Sequence, residues 1–337
     1  MHTSGGICLR WHSNCVTDGP EATYPKVDVV IPTYDGWLLL ERCLGCLRAQ
    51  TLPHRVIVVD NGSTDGTRAN VRRSFPEASL VELTTNCGFS VACNRGAAAG
   101  ESEVIVLLNN DVEPRPDFLE ELVQPLIVDA SVGSVAGVLL QRDSDAIDSV
   151  GLSVDRTLAG YPRLRGAPAG DATAAHPVLA GPAGGAGAYR RSAWEGVAGL
   201  DEGVRGYGED VDIAMRLCIA GWSARAAPRA IGIHLGSASF GRRSIGQRYH
   251  SGFARAYFLR RYGVLRTTAA TRTIATEAAV IVGDALISRD LSAARGRIAG
   301  WRAAHGAPRR PLPPAGAIDP TITFWESLRL RRRVYAT

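Results

Sequence analysis

Four short runs constrain this chain more than its composition does. "VDVVI" from Val27, "RVIVVD" from Arg55, "SLVEL" from Ser79 and "VIVLLNN" from Val104 are rich in β-branched and apolar residues. Between them lie "GWLLLERCLGCLRAQ", "STDGTRANVRRSF" and the Ala-rich "GFSVACNRGAAAG", whose spacing is helical, the second with a Ser/Thr cap. Strands of nearly continuous apolar character, alternating with helices of about ten to fifteen residues, imply βαβ units and a parallel sheet covered on both faces. In such sheets ligands sit at the carboxyl ends of the strands.

Those ends can be read directly. The first strand runs into Pro32, Thr33, Tyr34 and Asp35, the second into Asp60, Asn61 and Gly62. The third runs into Thr85, Asn86 and Gly88, and the fourth into Asn109, Asn110 and Asp111. A plain Asx turn explains one such end, and a turn cap before Pro114 explains another. Four together make a site.

After about Ser131 the pattern changes. "GSVAGVLL", "DSVGLSVD", "AHPVLAGPAGGAGAYRR" and "WSARAAPRAIGIHLG" read as shorter, partly antiparallel strands, with helices near residues 191–197 and 209–220. Further helices are expected at 247–262, 269–287 and 291–304. The expected division is a loose leader over 1–25, an α/β unit over 26–240 whose pattern changes between 26–112 and 113–240, an Arg-rich helical extension over 241–306, and a Pro-rich linker with a basic tail over 307–337.

Several function classes are excluded. The first strand is followed by "IPTYDGW" rather than G-x-G-x-x-G, and "GPAGGAGAYRR" has the wrong spacing for that fingerprint. A P-loop needs a lysine after its glycines, and the only lysine, Lys26, precedes the first strand. A net charge of +5 carried by an Arg-rich, Ala-rich composition does not point to nucleic acid. The seven cysteines are scattered, and the Cys43/Cys46 pair falls in a helical pattern without partners for a zinc site. The N-terminal stretch lacks a signal-peptide pattern, and no apolar run approaches ~18 residues, so a cytoplasmic protein, or one at the inner face of the plasma membrane, is expected.

Taken together, "VDVVIPTYDGWLLLERCLGCLRAQTLPHRVIVVDNGSTDGT", "NCGFSVACNRG", "VIVLLNNDVEPRPDFLEELV" and "GAYRRSAWEGVAGLDEGVRGYGEDVDIAMRLCIAGW" resemble family 2 glycosyltransferases, over about residues 27–239. The similarity is greatest to the bacterial branch that includes rhamnosyltransferases of cell-envelope polysaccharide assembly. It implies an α/β GT-A fold of the nucleotide-diphospho-sugar transferase type, Rossmann-like, with a mixed, mostly parallel sheet, helices on both faces and a C-terminal helical extension. It also implies a metal-dependent, inverting hexosyltransferase, with 26–240 as its catalytic unit, 26–112 the nucleotide-binding half and 113–240 the acceptor and catalytic half. The donor is a dTDP-, UDP- or GDP-linked sugar, rhamnose or another hexose, and the acceptor a hydroxyl of a glycan or a polyprenyl-linked sugar.

The same resemblance assigns roles. Pro32, Thr33, Tyr34 and Asp60 match nucleoside-binding positions, and Asn86, Gly88 and Asn94 fall in the N-x-G-F-x-x-A-x-N pattern that approaches the diphosphate. "LNND" stands where the family has D-x-D, so Asp111 is the expected ligand of Mg2+ or Mn2+, with Asn109 and Asn110 as donor contacts. His234 completes the metal shell. In "GYGEDVD", Asp210 is the expected base for the acceptor hydroxyl and Glu209 a donor or acceptor contact. Carboxylates at a helix start are held as anions by the dipole.

Two other functions stand beside this one: a non-catalytic nucleotide-sugar-binding relative, and a sugar nucleotidyltransferase, which lacks its glycine-rich signature here. From Phe240 to Thr273 there are eight arginines and no acid, with Tyr249, Phe253 and Tyr257 at helical spacing. That helix reads either as a peripheral contact with an anionic membrane or as an aromatic stripe packed on the catalytic unit.

Overall fold

The computed structural model describes residues 24–236 and 244–336, residues 332–336 by their backbone alone. The expected leader falls outside the described residues up to residue 23, as do Phe240 and the two arginines after it. The first half is the expected alternation: β1 (Val27–Thr33), α1 (Trp37–Arg48), β2 (Arg55–Asp60), α2 (Thr67–Ser74), β3 (Ser79–Glu82), α3 (Phe89–Ala98) and β4 (Val104–Leu108). Alternate side chains of a strand point to opposite faces. Val29 and Ile31 accordingly join Leu40, Leu44 and Leu47 of α1, whereas Val30 joins Ala92, Cys93 and Ala97 of α3. Both faces are covered, which is why these runs are apolar at every position. The cap of α2 differs from expectation. Its first turn is held by Asp65, whose Oδ1 accepts from the Thr67 amide at 3.0 Å.

The second half adds β5 (Val112–Pro114), α4 (Phe118–Val128), β6 (Val132–Gln141), β7 (Ile147–Ser149), β8 (Leu152–Val154), β9 (Gly160–Pro162), β10 (Ala186–Arg190), α5 (Arg191–Gly196), α6 (Glu209–Ile219) and β11 (Ser223–His234). The main sheet has the order β3-β2-β1-β4-β10-β6-β11-β5, with β7 on β6, while β8 and β9 form a separate pair. The strands from β3 to β4 are parallel, and β10 enters antiparallel between β4 and β6. The glycine-rich stretch before β10 is not a strand: beyond a single bridge from Gly181 to Leu152, only Ala186–Arg190 pairs. Conversely, "WSARAAPRAIGIHLG" is not short. It makes one 12-residue strand, parallel to β6. The register slips between Ala226 and Ile231, which is where Pro228 lacks an amide to donate.

Four more helices follow: α7 (Ile245–Arg261), α8 (Ala270–Ser288), α9 (Ser292–Ala303) and α10 (Phe324–Ala336). The aromatic stripe of α7 turns inward. Tyr257 is buried with Phe258 and Tyr262 against Ala214 and Met215 of α6, its ring stacks on Phe253 at 6.1 Å, and its hydroxyl donates to Asp201 at 3.2 Å. Helices α7 and α9 approach so closely that a Cβ on Gly300 would lie 2.0 Å from the Phe253 carbonyl oxygen. Within the Pro-rich segment, Arg310 bridges Asp201 at 2.7 Å and also pairs with Asp212 on α6.

Candidate active site

The β-strand ends converge as parallel order requires. Asp60, at the end of β2, is fully buried, and its Oδ2 accepts from Arg68 at 2.5 Å and from the Ser63 amide at 3.1 Å. Its Oδ1 is buried and has no partner. Next to it, the Asn61 amide group donates to Asn86 Oδ1 at 3.2 Å and accepts from the Cys87 amide at 2.9 Å, tying the β2 end to the loop before α3. Gly88 ends that loop at φ +92, with Arg205 backbone so near that a Cβ would sit 2.7 Å from its carbonyl oxygen. Only glycine meets both demands. Tyr34 stands exposed at the mouth, while Thr33 is buried and accepts from Asn110 Nδ2 at 2.9 Å.

At the end of β4, Asp111 and His234 meet. Asp111 Oδ2 lies 3.3 Å from His234 Nε2, while Asp111 Oδ1 is buried without a partner. The other ring nitrogen, Nδ1, lies 2.8 Å from Asp148 Oδ2 on β7, and Asp148 in turn is 3.2 Å from Arg165. Burial opposes charge on His234, but hydrogen bonds to Asp111 and Asp148 outweigh it and raise its pKa to about 10. Among the described residues no group of three or more His, Cys, Asp or Glu is arranged around a metal position.

The acid pair opens α6. Asp210 Oδ2 accepts from the Gly184 amide at 3.2 Å and Oδ1 from the Val211 amide at 2.8 Å, while Glu209 Oε2 is buried without a partner. The Gly184 position faces both carboxylates: a Cβ there would lie 3.6 Å from Glu209 Oε1 and 3.7 Å from Asp210 Oδ2. Burial, then the neighbouring Asp210 charge, pushes Glu209 up to about 8, and burial raises Asp210 as well. Here the helix dipole expected to keep the pair anionic loses to desolvation. Asp212 serves the fold instead, binding Arg216 at 2.7 Å and Tyr262 at 2.9 Å. Asn109, whose amide donates to the Gly185 carbonyl at 3.0 Å, links this loop to the β4 end.

A cavity of about 250 Å³ adjoins Asp210, lined also by Tyr161, Phe258, Arg255, Arg297 and Arg331. The three arginines share one carboxylate, Glu277, at 2.7, 2.8 and 2.9 Å. Three guanidinium groups thus line one wall of the cavity, balanced in part by Glu277 and by the buried Asp155, whose pKa burial would raise but Arg255 and Arg331 help to lower.

The sequence model described as Glycosyl transferase family 2 matches residues 28–194. The chain is 32% identical over 254 residues to the N-acetylglucosaminyl-diphospho-decaprenol L-rhamnosyltransferase of Mycobacterium tuberculosis, a match covering 64% of this chain and 77% of that protein. The chain belongs to glycosyltransferase family 2. A shorter similarity, 30% over 111 residues, links it to glycosyltransferase AglE of Haloferax volcanii, covering 31% of this chain and 36% of that one. Among solved structures, a mannosyltransferase of Pyrobaculum calidifontis in complex with GDP-Man and Mn2+ shares the fold, at TM-score 0.50 and 21% identity, over 84% of this chain and 86% of that one. The fold is GT-A, with the C-terminal helices added.

Within this family 2 enzyme the expected site residues do not all gather. Pro32, Thr33, Tyr34, Asp60, Asn86, Gly88, Asn109, Asn110, Asp111, Glu209, Asp210 and His234 lie at the strand ends, the loops after them or the start of α6. Asn94 does not join them through its side chain. Its amide is engaged with both backbone groups of Leu200, at 2.9 Å each, and with Glu202. Asn86 and Asn110 are also committed to neighbouring protein groups. Sequence reasoning missed Asp148, Arg68 and the glutamate-centred arginine cluster. The acid in "DSVGLSVD" was the only visible trace of the first.

Proposed function

We propose that this family 2 enzyme transfers a sugar, rhamnose or another hexose, from a nucleoside-diphosphate donor to a hydroxyl of a lipid-diphosphate-linked sugar, with inversion, in cell-envelope polysaccharide synthesis. One observation carries the reading. Asp60, Asp111 and Glu209 each keep one buried oxygen without a partner, and buried polar atoms are nearly always paired. Three orphaned carboxylate oxygens, two at the carboxyl ends of β2 and β4 and one at the start of α6, await a polar ligand. The arginine-lined cavity beside Asp210 supports an anionic acceptor, and the rhamnosyltransferase relative is named for a diphospho-decaprenol acceptor.

In this reading Asp60 accepts from the nucleoside, and Tyr34 covers it from the mouth. Asp210 takes the proton of the acceptor hydroxyl as that oxygen attacks the anomeric carbon, and the diphosphate leaves from the opposite face. No second carboxylate is needed as a nucleophile, hence inversion. Glu209, protonated near neutral pH, donates a hydrogen bond to a sugar hydroxyl. Asp111 and His234 fit a hard divalent cation, Mg2+ or Mn2+: an orphaned carboxylate oxygen and an imidazole nitrogen already lie on one side of the cleft. Bound there, the cation would offset the charge of the departing diphosphate.

The test is incubation with dTDP-, UDP- and GDP-sugars and Mn2+, scoring donor hydrolysis without acceptor and then transfer to a prenyl-diphosphate sugar. Hydrolysis of one donor, abolished in Asp210→Asn without loss of nucleotide binding, is the expected result. Full turnover in that variant would remove Asp210 as the base. Nucleotide binding with no turnover on any acceptor would make the chain the non-catalytic relative that Asn109 invites.

A further inference from the structure

Helix α8 is built inside out. Its buried residues are Thr273, Thr276 and Glu277, while Ile274, Ala275, Ala278, Ala279, Val282, Leu286 and Ile287 are exposed. Positions 274, 278, 282 and 286 recur every fourth residue and form one outward stripe. Leu286 and Ile287 are 75% and 81% exposed, values foreign to a helix that has found its partner. A surface helix normally turns its polar stripe to water and its apolar stripe to the core. Here the interior takes the polar stripe, because Glu277 must gather Arg255, Arg297 and Arg331. What faces outward is an apolar surface that no described residue covers.

The exposed charges around it are of one sign, for Asp284 and Asp290 are turned to Arg248. Between residues 266 and 302 the exposed charged side chains are Arg266, Arg289, Arg295 and Arg302, and no acid is exposed. The stripe meets Arg289 at the end of α8. On α9 the exposed order Leu291, Arg295, Ile298, Arg302 alternates apolar and basic residues at helical spacing. No described helix is long and apolar enough to cross a membrane. An apolar face fringed by arginines, too polar to span, has the chemistry of an interfacial helix lying among anionic headgroups. A two-fold pairing of this chain through the same face would set arginines against arginines, since an isologous interface meets itself.

We propose that the outer face of α8, with the turn to α9, docks this enzyme on an anionic lipid bilayer. Val282, Leu286 and Ile287 enter the headgroup boundary, while Arg289 and Arg295 meet lipid phosphates. The proposal goes beyond the transfer reaction and is tested without substrate. The full chain is sedimented with vesicles of phosphatidylcholine alone and of phosphatidylcholine with equimolar phosphatidylglycerol. Binding to the mixed vesicles, weakened by salt, is expected. It falls roughly tenfold or more in the double variant Leu286→Asp, Ile287→Asp, and roughly fivefold in Arg289→Gln. All three positions are exposed, so the thermal midpoint stays within a degree or two of the parent.

Equal binding of the parent and the double variant, or no preference for the anionic vesicles, overturns the proposal. So does a parent dimer in gel filtration that Leu286→Asp turns into a monomer, which would assign the face to a second copy. Hydrolysis of donor in solution, measured on the same variants, is expected to be unchanged. Loss of vesicle binding and loss of catalysis are thus read separately.

Discussion

The backbone amide of Gly184 donates to Oδ2 of Asp210 at 3.2 Å, so the loop before β10 orients the carboxylate at the start of α6. The bond places the candidate base within reach of the loop that also holds Asn109, through Gly185. Asp210→Asn keeps the shape of this contact but cannot accept a proton, and the expected loss in kcat is ~100- to 10,000-fold. Nucleotide affinity, by calorimetry, should hardly change.

Glu209 gives a pH signature. Its pKa is raised by burial first and by Asp210 second, to about 8, against about 4.3 for a free glutamate. A raised folded-state pKa means the folded protein holds the proton more tightly. That contribution is complete below about pH 4 and is lost as pH rises toward 8. The unfolding free energy of the parent should therefore decline between pH 6 and 9 more steeply than that of Glu209→Gln, by roughly 2 kcal/mol across that window, read from urea unfolding at each pH. Parallel curves would show that Glu209 is ionised in the folded state.

Asp148 makes a prediction about metal rather than turnover. It holds His234 Nδ1 at 2.8 Å, leaving Nε2 toward Asp111. Carboxylates behind a ligating imidazole fix its tautomer and basicity. Asp148→Asn should weaken Mn2+ affinity of the nucleotide-bound protein roughly 10- to 100-fold, followed by Mn2+ electron paramagnetic resonance. Unchanged affinity would show that the Asp148–His234 bond does not tune metal binding, and chelation that leaves donor hydrolysis intact would remove the metal from the reading.

Glu277 is the opposite electrostatic case. Burial would raise its pKa, yet Arg255, Arg331 and Arg297 outweigh burial and hold it well below the usual carboxylate range. A depressed pKa contributes stability that is present above about pH 4.3 and lost as pH falls below it. Glu277→Gln leaves three half-buried guanidinium groups without their shared partner and should cost about 3–5 kcal/mol, seen as an early unfolding step in urea.

The strands β1, β2 and β4, and the polar residues that end them, were legible because a doubly covered parallel sheet writes itself as unbroken apolar runs. The long β11 was not. Pro228 and the alanines around it break the strand signal, and the parallel pairing with β6 that absorbs the bulge is a long-range fact. Asp111 and Asp210 could be named from local pattern, but which lone carboxylate oxygens stay unpaired depends on residues far along the chain. Asn94 shows the converse: its place in a motif says nothing of Leu200, more than a hundred positions on, which takes its amide. Nor does helical spacing tell in from out. Among the described residues the apolar stripe on α7 is covered and that on α8 is not, and a shared glutamate decides the second.

Arg310 reaches from the Pro-rich segment to Asp212, two residues beyond Asp210 on the same helix. Cutting the chain ahead of it would therefore do more than trim a terminus, because the helix that presents the candidate base would keep a buried carboxylate with one cation fewer. In a lineage, residues near position 310 and those in the middle of α6 are expected to change as a pair. Exchange of the C-terminal third between relatives should fail unless that helix travels with it.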